Sequence, residues 1–190
     1  IAKVSGKPVK LTWTRSEDMK GGYYRPPSTH SLKGAVTKEG EPFKFSHHVI
    51  APSITQMRFN KNLTAEKSEI KEGTVNLEYQ IPNLRITGTL ISTHVPISWF
   101  RAVYNTQNPF AVESFIDEMA YAAGKDPYLF RKEMLPSDSR LLNVMNVAAK
   151  KSGWGKPLQS GKGMGIAISD GYESYCAQVA EVTVLIAELL

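Results

Sequence analysis

The sequence is poor in cysteine and in long apolar runs. Its single cysteine, Cys176, excludes an internal disulfide and a structural zinc site built from several thiolates. No stretch approaches the roughly 18 apolar residues that a membrane span needs. Residues 1–6 have neither an initiator Met nor a signal-peptide layout, and residues 182–190 are an apolar run without a polar tail. We therefore expect a fragment of a longer protein.

The composition is that of a globular protein, with 42% hydrophobic and 22% charged residues in a chain of 190. This length suits one domain with its own core, or two small ones. The net charge is +5, but the lysines are dispersed with acidic residues between them. Because a nucleic-acid surface requires a clustered basic face, the charge pattern argues against one. A basic module for another anionic partner stays as an alternative.

The first half of the chain has the period-two pattern of half-buried strands. Residues 7–14 alternate, with Val9, Leu11 and Trp13 on one side. Residues 30–37 and 43–50 alternate as well, and the polar residues between them, with Gly40, predict a short antiparallel hairpin. A further strand is predicted over residues 84–91. Residues 52–73 have no clear pattern apart from a possible short helix near Ala65.

Three helices are predicted next. Asn108 followed by Pro109 suits a helix start in which the Asn side chain caps the first turn, and Gly124 suits its end. Three- and four-residue spacing gives this first helix one apolar face, formed by Val112, Phe115, Ile116, Met119, Ala122 and Ala123. Asp126 and Pro127 begin a second helix that runs to Leu135.

A third helix is predicted over residues 139–151, with Gly153 past its end, and strands return at residues 164–169 and 178–186. Strands, then about three helices, then strands is the order of an α+β fold with antiparallel or mixed strands. We interpret residues 1–190 as a single fragment of one domain, because the sequence has no internal repeat and no low-complexity linker.

Three features have ordinary explanations that we favour over chemical ones. The glycine-rich residues 161–165 precede a predicted strand, so they lack the helix N-terminus that a phosphate loop uses. His47 and His48 are adjacent in a strand and point to opposite faces, which prevents joint ligation of one metal. Cys176 has no nearby Lys or Arg to stabilise a thiolate, so we expect it to be a packing residue.

Arg101 is a better candidate for chemistry. It lies in a polar loop, among Trp99, Phe100 and Tyr104, that leads directly into the helix predicted after Asn108. A loop fixed by a well-packed helix can hold a side chain in a defined direction. A solvated or salt-bridging arginine is the alternative, since such arginines are common on protein surfaces.

Several separated motifs resemble one known family in their order along the chain. They are residues 6–18 (GKPVKLTWTRSED), 24–26 (YRP), 100–119 (FRAVYNTQNPFAVESFIDEM), 122–127, 130–131, 152–155 (SGWG), 163–167 and 179–182. This set closely resembles the molybdopterin-binding large subunits of the xanthine oxidase family. Within that family, it is most similar to the isoquinoline 1-oxidoreductase β subunit and related aldehyde dehydrogenases.

The resemblance implies part of a molybdenum hydroxylase, which oxidises an aldehyde or hydroxylates an N-heterocycle with water-derived oxygen. It implies a molybdopterin cofactor in the cytosine dinucleotide form, a small partner subunit with [2Fe-2S] clusters, and a bacterial cytoplasmic or periplasmic location. It places Phe100, Arg101 and Ala102 near the cofactor, with Arg101 also a catalytic residue. A guanidinium suits that role because it stays charged and can polarise a substrate oxygen or ring nitrogen.

The sequence also departs from that family. Tyr104 stands where relatives usually have Gly, and the family's glycine-rich Gly-Gly-Phe-Gly loop, its Met-Gly-Gln-Gly loop and its catalytic Gly-Glu base are absent from these 190 residues. We therefore expect the fragment alone to be inactive and to bind no cofactor. A non-catalytic interaction module built on the same domain is the other alternative.

Overall fold

β2, Pro42–Pro52, is the central strand of a three-stranded sheet. β1, Thr29–Val36, pairs with it in antiparallel orientation, and β3, Asn83–Ile91, pairs in parallel on its other side. The structure is a computed structural model that describes residues 1–64 and 69–184. The α+β class, the hairpin and the strand predicted over residues 84–91 are confirmed.

The buried face of β2 carries every second residue of the strand. Phe45, His47, Val49 and Ala51 are buried, whereas His48 lies on the opposite face and is half-buried. The prediction that His47 and His48 point to opposite faces is therefore confirmed. This face packs against the helices. At Gly34, β1 lies close to the helix that carries Met119: a Cβ atom there would lie 2.7 Å from the Met119 sulfur.

The three predicted helices are α4 (Gln107–Ala122), α5 (Pro127–Met134) and α6 (Arg140–Ser152). The Asp126 side chain accepts hydrogen bonds from the first N–H groups of α5, and the Ser139 side chain accepts one from the N–H of Leu142 in α6. The predicted helix start at Asp126 is thus confirmed, and Ser139 supplies a cap that the sequence analysis did not predict. The helices bury one continuous apolar cluster with β2 and the last hairpin, including Phe45, Ile116, Phe130, Met145 and Ile168.

The last hairpin consists of β4, Lys162–Gly171, and β5, Ser174–Thr183, paired in antiparallel orientation. The glycine-rich residues 161–165 were expected to precede this strand, but residues 162–165 already belong to β4; as predicted, no helix follows them. The predicted strand over residues 178–186 is present to Thr183, and its last two positions lie outside the described residues.

The strand predicted over residues 7–14 is wrong. Those residues have no strand partner in the described chain, and residues 1–21 are exposed throughout. An isolated strand has neither a hydrogen-bonding neighbour nor a face to bury, so the alternating pattern alone does not form one. Only two short helices form there, α1 (Ala2–Ser5) and α2 (Arg15–Gly21).

The segment between β2 and β3 contains a helix that the sequence pattern did not reveal. α3, Ile54–Phe59, begins where the Ser53 hydroxyl accepts a hydrogen bond from the Gln56 N–H. A 3-10 turn follows at Glu69–Lys71. The short helix predicted near Ala65 lies outside the described residues.

The predicted cap of α4 is also wrong. Asn108 lies inside the helix, and its buried amide group donates hydrogen bonds to the carbonyl oxygens of Ile70 and Glu72, both at 2.8 Å. These two acceptors belong to a distant segment, which local sequence cannot reveal. The apolar face is confirmed at Val112, Ile116 and Met119, but Ala122 is exposed. Among the described residues, no helix has the length and apolar character needed to cross a bilayer.

Candidate functional site

The loop formed by residues 100–102, called here the 100–102 loop, is fixed on both sides. Upstream, the N–H of Tyr24 donates to the carbonyl of Pro96 and the N–H of Ser98 donates to the carbonyl of Tyr24, at 2.9 and 3.1 Å. Ile97 between them is buried. Downstream, the chain forms a 3-10 turn at Val103–Asn105 and then enters α4.

The backbone of the loop is tightly turned. Ala102 and Val103 both have positive φ angles, 64° and 45°. The turn is closed by hydrogen bonds from the Val103 N–H to the Phe100 carbonyl and from the Asn105 N–H to the Ala102 carbonyl, both at 2.8 Å. Residues with a Cβ rarely adopt this conformation, and it persists only where surrounding contacts enforce it.

Tyr104 is one such contact. Its side chain is completely buried beside Val49, Ile54 and Ile97, and its hydroxyl donates to the carbonyl of Pro52 at 2.5 Å. Burial, followed by the nearby charge of Glu69, raises the pKa of Tyr104, so its hydroxyl stays protonated. Tyr104 therefore anchors the loop to the sheet.

Arg25 supplies the other contact. Its guanidinium donates to the carbonyl oxygens of Arg101 and Val103 and to the hydroxyl of Thr106, at 2.8, 2.7 and 2.8 Å. The same group lies over the Phe100 ring, 5.1 Å from its centre. Sequence reasoning missed Arg25, since it lies more than 70 residues from its acceptors.

The predicted site residues lie at the surface. Phe100 is 54% exposed, Arg101 is exposed and Ala102 is half-buried. In the described part of the chain, the Arg101 guanidinium has no hydrogen-bond, ion-pair or aromatic partner. The interpretation of Arg101 as a salt-bridging residue therefore finds no support among residues 1–64 and 69–184, whereas the alternative of a solvated arginine agrees with its exposure.

A second polar centre is buried between α4, α5 and β4. Arg131 is fully buried and donates through Nε to Glu113 at 2.9 Å and through Nη1 to Asp117 at 2.6 Å. Glu113 also accepts from the Tyr79 hydroxyl at 2.7 Å and from the Ile168 N–H at 3.0 Å. Every charge here has a protein partner, which makes it a structural centre.

The surroundings of Arg131 and Tyr79 shift the pKa values of both side chains upward. Burial alone lowers the pKa of Arg131, but the negative charges of Glu113 and Asp117 outweigh it, and the net pKa is raised. Burial and the charge of Glu113 raise the pKa of Tyr79 well above its usual value. Arg131 therefore stays charged and Tyr79 stays protonated.

A groove of about 450 Å³ runs between α4 and the β4–β5 hairpin, close to the downstream end of the loop. Thr106, just before α4, and Glu113 and Asp117 of α4 line one side, and Cys176 and Gln178 line it from β5. Cys176 is exposed, so its expected role in packing is wrong: β5 turns it towards this groove and away from the core.

His47 belongs to the core. Its Nε2 lies 2.9 Å from Nδ1 of His30, whose own Nε2 lies 2.8 Å from the Ser28 hydroxyl. Its Nδ1 is buried and has no partner among the residues that the structure describes, which favours the tautomer in which Nε2 carries the proton and Nδ1 is a bare acceptor. In the described ranges, no three His, Cys, Asp or Glu side chains group as metal ligands.

Comparison with known proteins gives consistent matches. A family profile described as molybdopterin cofactor-binding domain matches residues 1–135. The beta chain of isoquinoline 1-oxidoreductase from Brevundimonas diminuta is 28% identical over 189 residues, which is 96% of this chain and 24% of that protein. A nicotinate dehydrogenase subunit of Pseudomonas putida is 27% identical over 172 residues, 84% of this chain and 14% of that protein.

The same fold occurs in solved structures. The aldehyde oxidoreductase of Desulfovibrio gigas matches with a TM-score of 0.63 and 24% identity, covering 88% of this chain and 20% of that one. Quinoline 2-oxidoreductase from Pseudomonas putida 86 matches with a TM-score of 0.60 and 17% identity, over 88% of this chain and 24% of that one. The chain thus spans a quarter or less of the length of each of these proteins.

Proposed function

Because this chain belongs to the molybdopterin cofactor-binding domain family, we propose that it is part of the large subunit of a molybdenum-dependent oxidoreductase. The complete subunit would hydroxylate an N-heterocycle or oxidise an aldehyde, with oxygen taken from water. Relatives named isoquinoline 1-oxidoreductase and nicotinate dehydrogenase support this substrate class. Since the chain spans so little of them, the activity is assigned to the complete subunit.

The observation that carries the proposal is the free guanidinium of Arg101 on a fixed loop. In the described chain Arg101 has no protein partner, and the exposed ring of Phe100 lies next to it in sequence. A permanently charged fork and an aromatic surface are the chemistry that a large, flat, anionic cofactor requires. The residues present therefore fit a molybdopterin, which we propose is the cytosine dinucleotide form.

Within this proposal, Phe100, Arg101 and Ala102 contribute to the cofactor site, and Arg101 is a catalytic residue. When bound, the molybdenum centre would supply the two-electron oxidation in which a substrate carbon gains oxygen from water. Arg101 would orient the substrate and stabilise negative charge that develops on its oxygen or ring nitrogen. Its guanidinium remains charged throughout, so it needs no proton transfer to act.

The partner and the compartment are part of the same proposal. Electrons removed from the substrate require an acceptor, and we assign this role to a small [2Fe-2S] subunit. The proposed location is the cytoplasm or periplasm of a bacterium.

Arg101→Lys and Arg101→Ala test the proposal in the complete subunit with its iron–sulfur partner. Lys keeps the charge but loses the planar fork, so kcat/KM should fall by about 10- to 150-fold, the equivalent of one charge-assisted hydrogen bond. Ala should lose more. The control is Arg58→Ala, another exposed arginine, whose guanidinium lies over the Tyr23 ring.

Molybdenum content separates the possible roles of Arg101. Unchanged metal with lower kcat/KM supports contact with substrate, whereas parallel loss of metal and activity supports contact with the cofactor. If both variants keep the kcat/KM of the unsubstituted enzyme and its metal content, Arg101 is not a site residue and the proposal loses its main support.

A further inference from the structure

Arg25 has an unusual environment for a cation. In the described chain it contacts no carboxylate; its three polar partners are two backbone carbonyls and one hydroxyl, all within residues 101–106. The planar guanidinium reaches all three at once because its donors are fixed in a fork. A lysine, with its compact ammonium group, could not span the same acceptors.

The acceptors of Arg25 bracket the strained part of the backbone. The carbonyls of Arg101 and Val103 lie on either side of Ala102, and Ala102 and Val103 are the two residues of the segment 101–106 with positive φ. Such a conformation is unfavourable for residues with a Cβ, most of all for a β-branched valine. Charge-assisted hydrogen bonds to both carbonyls favour this arrangement over relaxed alternatives.

The position of Arg25 is itself well determined. Tyr24 forms a parallel bridge with Ile97 through two backbone hydrogen bonds, and Pro26 is buried. The Arg25 side chain therefore starts from a backbone that is held against the upstream end of the same loop. A side chain on a fixed backbone can hold the loop in one conformation, whereas a side chain on a free segment cannot.

We propose that Arg25 is a positioning residue that holds the 100–102 loop in the conformation that presents Arg101. Its catalytic consequence rests on the function proposed above, but its effect on the loop does not. Arg25 uses its donors on the backbone of the loop, while Arg101, on the same loop, keeps its own donors available. Arg25 thus supports the backbone of the loop, and the Arg101 donors remain available for contact with another molecule.

The first test measures the loop directly, by hydrogen exchange in the complete subunit with its partner. Arg25→Ala should speed exchange in peptides covering residues 100–106 by about tenfold or more, because the amides of Val103 and Asn105 close the turn that Arg25 supports. Arg25→Lys should lie between Ala and the unsubstituted protein. Peptides from β2 and β3 should not change, and Arg58→Ala should leave the 100–106 peptides unchanged.

The second test measures catalysis in the same variants. Arg25→Ala and Arg25→Lys should lower kcat/KM in the order of their exchange rates, through a misplaced Arg101. If Arg25→Ala does not fold, the Lys variant carries both measurements. Unchanged exchange at residues 100–106 in both variants would overturn the inference.

The combined results separate this inference from the proposed function. Faster exchange with unchanged kcat/KM, where Arg101→Ala lowers kcat/KM, would also overturn the positioning role. Faster exchange with no activity loss in either the Arg25 or the Arg101 variants would show that Arg25 supports the loop. It would also show that the loop is not part of the active site.

Discussion

Arg131 and Arg101 show two opposite uses of one residue type. Arg131 is completely buried and is paired with Glu113 and Asp117. Arg101 is exposed and, in the described chain, has no partner. The buried arginine uses its donors to join α4 and α5, whereas no described residue accepts from the donors of the exposed one. The environment of an arginine, and not its presence in the sequence, separates the structural role of Arg131 from the functional role that we propose for Arg101.

The largest expected effect is on stability, in the buried centre. Arg131→Met would leave the carboxylate of Glu113 buried without a countercharge, and we expect a loss of about 3–5 kcal/mol in the free energy of unfolding, measured with urea. Adding Glu113→Gln should recover part of this loss, because the unpaired charge is then removed. A loss below about 1 kcal/mol would mean that the centre is more open to water than the structure shows.

Lowering the pH should reduce the stability of the folded chain through protonation of His47. Burial, with the nearby His30 and His48, lowers the pKa of His47 from 6.5 to about 4. Between these values the unfolded chain binds a proton that the folded chain does not, so stability falls as the pH falls. The slope should approach about 1.4 kcal/mol per pH unit.

Unfolding measured between pH 7 and pH 4 checks this prediction, with His47→Gln as the variant that should flatten the slope. His94→Gln is the control, since His94 is exposed and should leave the slope in place. Equal slopes in the His47 variant and the unsubstituted chain would assign the acid sensitivity to other groups.

The smallest effect on stability should come from the exposed arginine. Arg101→Ala removes no side-chain hydrogen bond, ion pair or ring contact found in the described chain, so its free energy of unfolding should change by less than about 0.5 kcal/mol. Urea denaturation of this variant and of the Arg131→Met variant under the same conditions compares the two losses of stability directly. A loss above about 1 kcal/mol would place Arg101 with Arg131 as a structural residue.

The elements predicted correctly are those whose signals are local. Asp126 and Ser139 cap the helices that follow them, and the alternation in β1 and β2 matches a real hairpin. Each of these signals acts on groups that lie only a few residues away in the sequence. Local chemistry therefore predicted most of the helices and strands.

The errors involve residues whose partners are distant or missing. Asn108 could have capped its helix, but its amide group instead donates hydrogen bonds to the carbonyls of Ile70 and Glu72. Residues 7–14 alternate like a strand, but the described chain offers them no neighbour. The importance of Arg25 depends on acceptors in residues 101–106, so only the folded chain reveals it.

The contact between Arg25 and the 100–102 loop has a consequence for biosynthesis. Its hydrogen bonds join residues separated by 76 to 81 positions. On the ribosome the chain emerges N-terminus first, so Arg25 leaves the exit tunnel well before any of its acceptors exists. The loop, in contrast, emerges when its supporting arginine and all three strands of the first sheet have already been synthesised. The turn at Ala102 can therefore close as soon as residues up to Thr106 have left the tunnel.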